Sequence, residues 1–298
     1  MKDFITVIGG ANIDISATMS GVAIASDSNP GHVTLGHGGV ARNVAHNLCS
    51  LGHEVRFVTV FGNDNFGKLS HDHCQQVGLE LSMCVQVPDS RNGLYLCVNN
   101  RYGELVVAVA ETDIINNITP EFLLSRMPII GNSKIVVADT NLPTKSLKFL
   151  IDNCTMPLVI DAVSTAKAAR IITALEQSEK HRLHTLKLNR QEALAVSDCE
   201  TIPDAAQALV EKGVENVYIT LGAEGVYCSN GTIKEQFPTV ATEVVNATGA
   251  GDAFVAGVVH GMILGEAFPL PAHRGQRVAA ATLLSQYTVH PDLANFKI

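Results

Sequence analysis

The sequence predicts an α/β protein: a doubly wound, mostly parallel sheet flanked by helices on both faces, with a small second β-layer. Three observations carry this. Short β-branched runs alternate with longer segments of helical period, two stretches of strand composition fall outside that alternation, and a run of small residues opens an apolar helix late in the chain. The buried-strand runs are Phe4 to Ile8, Val55 to Val60, Ile135 to Ala138, Leu158 to Ile160, Thr185 to Leu188 and Val217 to Leu221. Helical spacing marks Val40 to Leu51, where Val40, Val44, Leu48 and Leu51 share one face. It also marks Phe66 to Val77, Thr144 to Asp152, Asp204 to Lys212 and Ala250 to Leu264. Strands separated by helices pair in parallel, because the helix supplies the crossover.

Residues 12–36 and 93–112 break the alternation, the second as a hairpin around Asn99 to Gly103. They are expected to form a small β-lid inserted in a core made of 1–11, 37–92 and 113–298. Ligands of open α/β sheets bind outside the carboxyl ends of the strands, where a β-flap would cover them.

The chain has 298 residues, 46% hydrophobic and 17% charged, which excludes a disordered or fibrous protein. With 21 Lys and Arg against 29 Asp and Glu, the net charge of -8 gives no general attraction to nucleic acid or an anionic membrane. The seven cysteines are odd in number and contain no C-x-x-C, so reduced thiols are expected rather than a disulfide framework or a zinc knuckle. The start of the chain carries Asp3 and lacks a long apolar stretch, unlike a signal peptide. The most apolar later stretch, 251–268, is interrupted by Asp252, His260 and Glu266. A cytoplasmic address is the default expectation.

The strongest chemical signal is Asn246-Ala247-Thr248-Gly249-Ala250-Gly251-Asp252 at the head of an apolar helix. Small residues there let backbone N–H groups approach an anion where the helix dipole also favours negative charge. Asp252, in the first turn, could accept a proton from an alcohol attacking a phosphoryl group. A glycine-rich helix cap with an ordinary dipole-pairing Asp is the plain alternative. Gly38-Gly39 open a second helix that carries Asn43, whose amide can both donate to and accept from a hydroxyl. Asn12 and Asp14, two residues apart on an extended segment, point the same way and could hold a vicinal diol. Asn189 and Glu192 have the spacing of a helix cap box. His71-Asp72-His73-Cys74 suggests a metal cluster at first sight, but on a helix i and i+2 diverge, and a solvated helix face is expected. Gly9-Gly10 does not complete the G-x-G-x-x-G dinucleotide fingerprint of an oxidoreductase.

In this order the motifs resemble those of the ribokinase-like (PfkB) carbohydrate kinases. Gly38-Gly39 with Asn43 is similar to their N-terminal signature, Asn189-x-x-Glu192 to their metal and phosphate motif, and Thr248-Gly-Ala-Gly-Asp252 to their C-terminal signature. The resemblance covers nearly the whole chain and includes Asn12-Ile-Asp14, Thr220-Leu-Gly222-x-x-Gly225 and the inserted β-lid. It implies that Asp252 is the general base and that Gly249, Ala250 and Gly251 form the anion hole. It places ATP against Thr220, Gly222, Gly225, Thr248 and Asn189, Mg²⁺ near Asn189 and Glu192 through water, and the sugar against Asn12, Asp14, Gly38, Gly39 and Asn43. Many members have an Asp that helps bind a monovalent cation where this chain has Asn246 and Ala247, which leaves potassium dependence open.

Ser28-Asn-Pro-Gly31, Gly38-Gly-Val-Ala-Arg-Asn43, Asp161-Ala-Val-Ser-Thr-Ala-Lys167 and Lys187-Leu-Asn-Arg-Gln-Glu-Ala193 are most similar to the pseudouridine kinase branch. The implied reaction is phosphorylation of the ribose 5'-hydroxyl, with Ser28 and Asn29 as candidate partners of the uracil ring. Ribose, fructose or another nucleoside as substrate, and a catalytically silent ligand-binding protein of the same fold, are the alternatives. The partner implied is a small-molecule nucleoside or sugar, not nucleic acid or membrane, together with a second copy of the chain paired through the β-lid.

Overall fold

The computed structural model describes residues 3–240 and 243–298. The chain runs β1 (Phe4–Ile8), β2 (Asn12–Met19), β3 (Gly31–Gly38), α1 (Val40–Ser50), β4 (Glu54–Val58), β5 (Val60–Gly62) and α2 (Asn65–Gln76). It continues with β6 (Val85–Val87), β7 (Gly93–Asn99), β8 (Leu105–Glu111), α3 (Pro120–Leu124), α4 (Met127–Ile130), β9 (Ile135–Asp139), α5 (Thr144–Asn153), β10 (Leu158–Asp161) and α6 (Thr165–Gln177). Then follow β11 (Leu183–Asn189), α7 (Arg190–Ser197), α8 (Ile202–Glu211), β12 (Val214–Thr220), β13 (Val226–Ser229), β14 (Lys234–Phe237), α9 (Ala250–Ile263) and α10 (Pro271–Leu283).

Eight strands form the main sheet in the order β14-β13-β12-β11-β10-β9-β1-β4. The run from β4 to β12 is parallel, and only β13 and β14 are antiparallel. Every residue of β1, β9 and β10 is buried, as a sheet covered on both faces requires. Alternate residues of one strand serve opposite layers. Ile135 and Val137 pack with Val44 and Leu48 of α1 and Val255 and Val259 of α9, whereas Val136 and Ala138 pack with Leu147 and Leu150 of α5 and Ile171 of α6. Burial of these side chains, at about 25 cal/mol per Å² of apolar surface, holds the layers together.

The six sequence-predicted strand segments fall on β1, β4 with β5, β9, β10, β11 and β12. The antiparallel pair β13–β14 and the helices α6 and α10 lie outside the segments read from periodicity. β14 reads Lys-Glu-Gln-Phe with three exposed residues, a polar edge strand with no apolar run to betray it.

A second sheet, ordered β3-β2-β7-β8, stands apart from the first. Its β7–β8 turn is closed by Asn100 N donating to Glu104 O at 2.8 Å. The register sets Asp14 beside Gly36 and Tyr95, and Ile15 beside Leu35 and Leu96. Successive residues point to opposite faces, so Asp14 and Ser16 share one face while Ile15, Leu35, Leu96 and Val109 share the other. The apolar face is exposed: Val33 is 64%, Leu35 51% and Val109 59% accessible. Among the described residues no helix is long and apolar enough to cross a membrane.

Helix α2 corrects one expectation. Its His71 and Asp72 are solvated, but Cys74 is fully buried and the His73 ring stacks on His37 with centroids 3.6 Å apart. Gly67, Ser70 and Cys74 form the buried stripe of this helix, at i, i+3 and i+7, and carry its C-terminal half inward.

Candidate active site

The central strands each carry a charge at or near the carboxyl end: Asp139 ends β9, Asp161 ends β10 and Lys187 lies near the end of β11. Parallel register sets Asp161 directly between Asp139 and Lys187. Asp161 accepts from the Lys187 ammonium at 3.1 Å, and both side chains are buried. Burial works against the Lys187 charge, but Asp161, Glu192 and Asp252 outweigh it and hold the ammonium above its usual range. Asp139 accepts from Ala41 N at 3.0 Å and Asn141 N at 2.8 Å, and burial pushes its carboxyl up to about 6.

Helix α9 opens over these charges. Its cap, Gly249, has φ 84°, a left-handed conformation in which a side chain would also strike the carbonyl of Thr288. The first turn leaves N–H groups without helical partners. A methyl group on Gly251 would come within 2.9 Å of Lys187 Nζ, so the ammonium lies directly against the turn. Gly249, Ala250 and Gly251 are thus brought together with a buried cation, the electrostatic setting of an anion cradle.

Asp252 follows in the same turn. It accepts a 2.6 Å hydrogen bond at Oδ2 from the Asn43 amide of α1. Burial pushes its carboxyl up to about 7, with Asp161 and Asp139 adding to the rise and Asn43 and Lys187 opposing it. A carboxylate near 7 is both ionised and basic at neutral pH.

The diol candidates meet the same end of α1. Asn12 pairs with Gly38 and Gly93 in the second sheet, and its amide oxygen rests against the α-carbon of Gly93. The Asp14 carboxyl rests against the α-carbon of Gly38; burial raises it to about 6, and Arg42 pulls the other way. Gly39, the cap of α1, has φ 97° and lies against the Gly10 carbonyl, where no side chain fits. Asn12, Asp14, Gly38, Gly39 and Asn43 therefore converge.

Asn189 caps α7 in a complete capping box: its Oδ1 accepts from Glu192 N at 2.9 Å, and Glu192 Oε2 accepts from Asn189 N at 2.8 Å. Glu192 Oε1 also accepts from the Asn189 amide at 2.6 Å. Burial raises the Glu192 carboxyl, against the pull of Asn189 and Lys187. Thr220 is the register partner of Asn189, and a short turn over Gly222–Glu224 leads to Gly225. Thr248 N donates to Asn246 Oδ1 at 2.9 Å, and the Asn246 amide donates to Gln286 O at 3.1 Å, so Asn246 braces the loop before the cradle.

Ser28 and Asn29 are not brought to this cluster. They lie beyond Met19 and Gly31, at the far end of the β2–β3 ladder from Asn12 and Gly38. Seven residue steps along β2 are about 23 Å. The Asn29 amide is already spent on its own loop, accepting from Ile24 N at 2.7 Å and donating to Ile24 O at 2.9 Å.

Asp139, Asp161, Lys187 and Arg42 are the residues that motif spacing missed. For Asp139, Asp161 and Lys187 the signal was a charge at or near the end of a buried strand, and sheet register joins them; Arg42 lies on α1 and carried no such signal.

A model of the pfkB family of carbohydrate kinases matches residues 2–294. The chain belongs to that family. It is an ATP-dependent sugar or nucleoside kinase with the ribokinase-like fold. It is 32% identical to pseudouridine kinase of Escherichia coli (strain K12), over 98% of this chain and 94% of that one. Among solved structures it is similar to a carbohydrate kinase from Agrobacterium tumefaciens, at 31% identity and TM-score 0.84 over 98% of this chain and 94% of that one. Ribokinase from Thermotoga maritima superposes with TM-score 0.85 at 22% identity, covering 98% of each chain.

Proposed function

We infer that this kinase phosphorylates the 5'-hydroxyl of pseudouridine, with Asp252 as general base. The observation that carries the chemistry is the Asp252 carboxylate, raised to about 7, in the same helical turn as the cradle and hydrogen-bonded to the Asn43 amide. The similarity to pseudouridine kinase over nearly the full chain supports the choice of nucleoside.

Asn12, Asp14 and Asn43, with the exposed backbone of Gly38 and Gly39, hold the ribose hydroxyls. The nucleotide lies along Asn189, Thr220, Gly222, Gly225 and Thr248, which leads its last phosphate to the head of α9. Asp252 takes the proton of the 5'-hydroxyl as that oxygen bonds to the γ-phosphorus, and the bond from phosphorus to the ADP oxygen breaks. The N–H groups of Gly249, Ala250 and Gly251, backed by Lys187, receive the charge on the equatorial oxygens.

Among the described residues no cluster of three or more acidic, His or Cys side chains could cage a metal. This fits Mg²⁺, which keeps its waters and is held largely by nucleotide phosphates. Each Glu192 oxygen accepts one hydrogen bond from Asn189 and retains acceptor capacity for a metal-bound water. Bound Mg²⁺ supplies charge neutralisation of the triphosphate; positioning and proton transfer belong to the protein. The second sheet is the lid of this site, its Asp14 face toward the sugar. Its exposed apolar face, with Val33, Leu35 and Val109, pairs with a second copy of the chain.

The test is Mg-ATP turnover, read as ADP release, against pseudouridine, uridine, inosine, adenosine, ribose and fructose. A kcat/KM highest for pseudouridine, with the phosphate on the 5'-oxygen, is expected and should rise with pH through about 7 as Asp252 ionises. Preference for a free sugar would remove pseudouridine and keep the Asp252 chemistry. Binding without turnover of any of the six would point to a silent ligand-binding protein.

A further inference from the structure

We propose that Arg42 and Thr288 are positioning residues for the general base, joined to Asp252 through Asn43 by three hydrogen bonds that all donate in one direction. The inference rests on the reading of Asp252 as the base. Arg42 Nη2 donates to Thr288 Oγ1 at 3.4 Å, the Thr288 hydroxyl donates to Asn43 Oδ1 at 3.1 Å, and Asn43 Nδ2 donates to Asp252 Oδ2 at 2.6 Å. The hydroxyl has one proton, and it goes to Asn43, so its oxygen faces the guanidinium. An Asn43 amide turned the other way would set its oxygen against the Asp252 carboxylate and its NH₂ against the Thr288 proton. The Asp252 carboxylate, which only accepts, and the Thr288 hydroxyl, whose oxygen faces the guanidinium, together hold the amide in this orientation. Asp252 Oδ2 is pinned, and Oδ1 is left for the acceptor hydroxyl.

Arg42 is 2% exposed, yet its partners are neutral: Gly38 O at 3.2 Å, the His37 carbonyl, His46 Nδ1 at 3.4 Å and Thr288. A guanidinium cannot shed its proton, and a buried cation without an ion-paired carboxylate is costly. Here the charge polarises the chain of donors that ends on Asp252. The same tie meets the rest of the site. The Thr288 carbonyl lies against Gly249 at the cradle, and the carbonyls gripped by Arg42 belong to the segment where the Asp14 carboxyl rests.

Other titratable groups act on Asp252 and Arg42 from every neighbouring element. The charged ones are Asp139 from β9, Asp161 from β10, Lys187 from β11 and Asp14 from β2, and the titratable but neutral His37, His46, His73 and Cys74 surround the guanidinium. All of them stay in place in Thr288→Val, which keeps the shape of the side chain and removes only the hydroxyl.

The experiment is a ¹³C-carboxyl NMR titration of the ligand-free protein, with the Asp252 signal identified by its loss in Asp252→Asn. It is paired with pH profiles of turnover using Mg-ATP and the best alcohol of the panel above. Loss of a donor to the ionised form raises the pKa, so Thr288→Val should titrate about 0.5 to 1 pH unit higher. Its kcat at pH 6 should fall about 3- to 10-fold, approach wild type at pH 9, and leave KM for ATP unchanged. Thr288→Ser, which restores the hydroxyl, should return both readouts. An unchanged titration in a Thr288→Val protein with a wild-type circular dichroism spectrum overturns the tie. Retained turnover in Asp252→Asn overturns the base itself, which the NMR arm does not depend on.

Discussion

The two sheets of this kinase are built on opposite terms. In the eight-stranded sheet the central strands are covered on both faces, and Asp139, Asp161 and Lys187 sit in fixed register at or near their carboxyl ends, under α9. In the four-stranded sheet both faces meet solvent along much of their length, and seven residues of β8 run with six of them exposed. The first can hold an unfavourable set of charges in place because packing over-determines it. The second buries its polar residues best at the end where it enters α1, where Asp14 lies against Gly38. Buried charges in fixed register belong to the first sheet, and exposed apolar surface belongs to the second.

The largest effect expected from breaking this division is Asp252→Asn, which should lower kcat about 10²- to 10⁴-fold with the dissociation constant of Mg-ATP kept, measured by steady-state kinetics and calorimetry. Lys187→Met comes next. It leaves Asp161 buried without its partner and should cost about 3–5 kcal/mol in urea unfolding, whereas a cost below about 1 kcal/mol would show that the pair is not buried in solution. Ile160→Ala in the buried sheet should cost about 2–5 kcal/mol, against within about 0.5 kcal/mol for Val107→Ala in the exposed one. Val109→Lys, harmless to the fold, should halve the mass seen by light scattering if the apolar face pairs two copies.

The smallest effect is on stability as a function of pH, and it sets two clusters against each other. Burial raises Asp14 and Asp139 to about 6 and Asp252 to about 7, so each costs stability above its raised pKa and returns it as pH falls toward 4. Burial, reinforced by Arg42, lowers His37 and His46 to about 4 and His73 to about 3. Those three cost stability progressively below about pH 6.5, where the unfolded chain takes up their protons. Asp252→Asn should therefore raise Tm at pH 8 and leave it unchanged at pH 3, and His73→Phe should soften the fall in Tm between pH 6.5 and 4.

Much of this was legible in the sequence. The parallel strands announced themselves as β-branched runs and the cap box as Asn189 and Glu192, while the grouping of Asn12, Asp14, Gly39 and Asn43 was implied by the family resemblance. The ion pair of Asp161 with Lys187 did not, since 26 residues separate the two and only register joins them. The local bonds of Asn29 were not legible for a related reason: a polar residue in a lid segment says nothing about whether its amide is used by its own loop. The polar strand β14 lacked the apolar run by which strands are found.

The contact between Asn43 and Thr288 spans 245 positions of the chain. A ribosome making about 5–20 residues per second needs on the order of 10 to 50 seconds to cover that interval. Throughout it, the helix carrying Asn43 exists without its Thr288 partner, and the turn at Gly249, made only near the end of the interval, still waits for the same residue. Activity therefore arrives late in synthesis and all at once, so the appearance of turnover during translation would time the closing of the whole fold rather than of any one part of it.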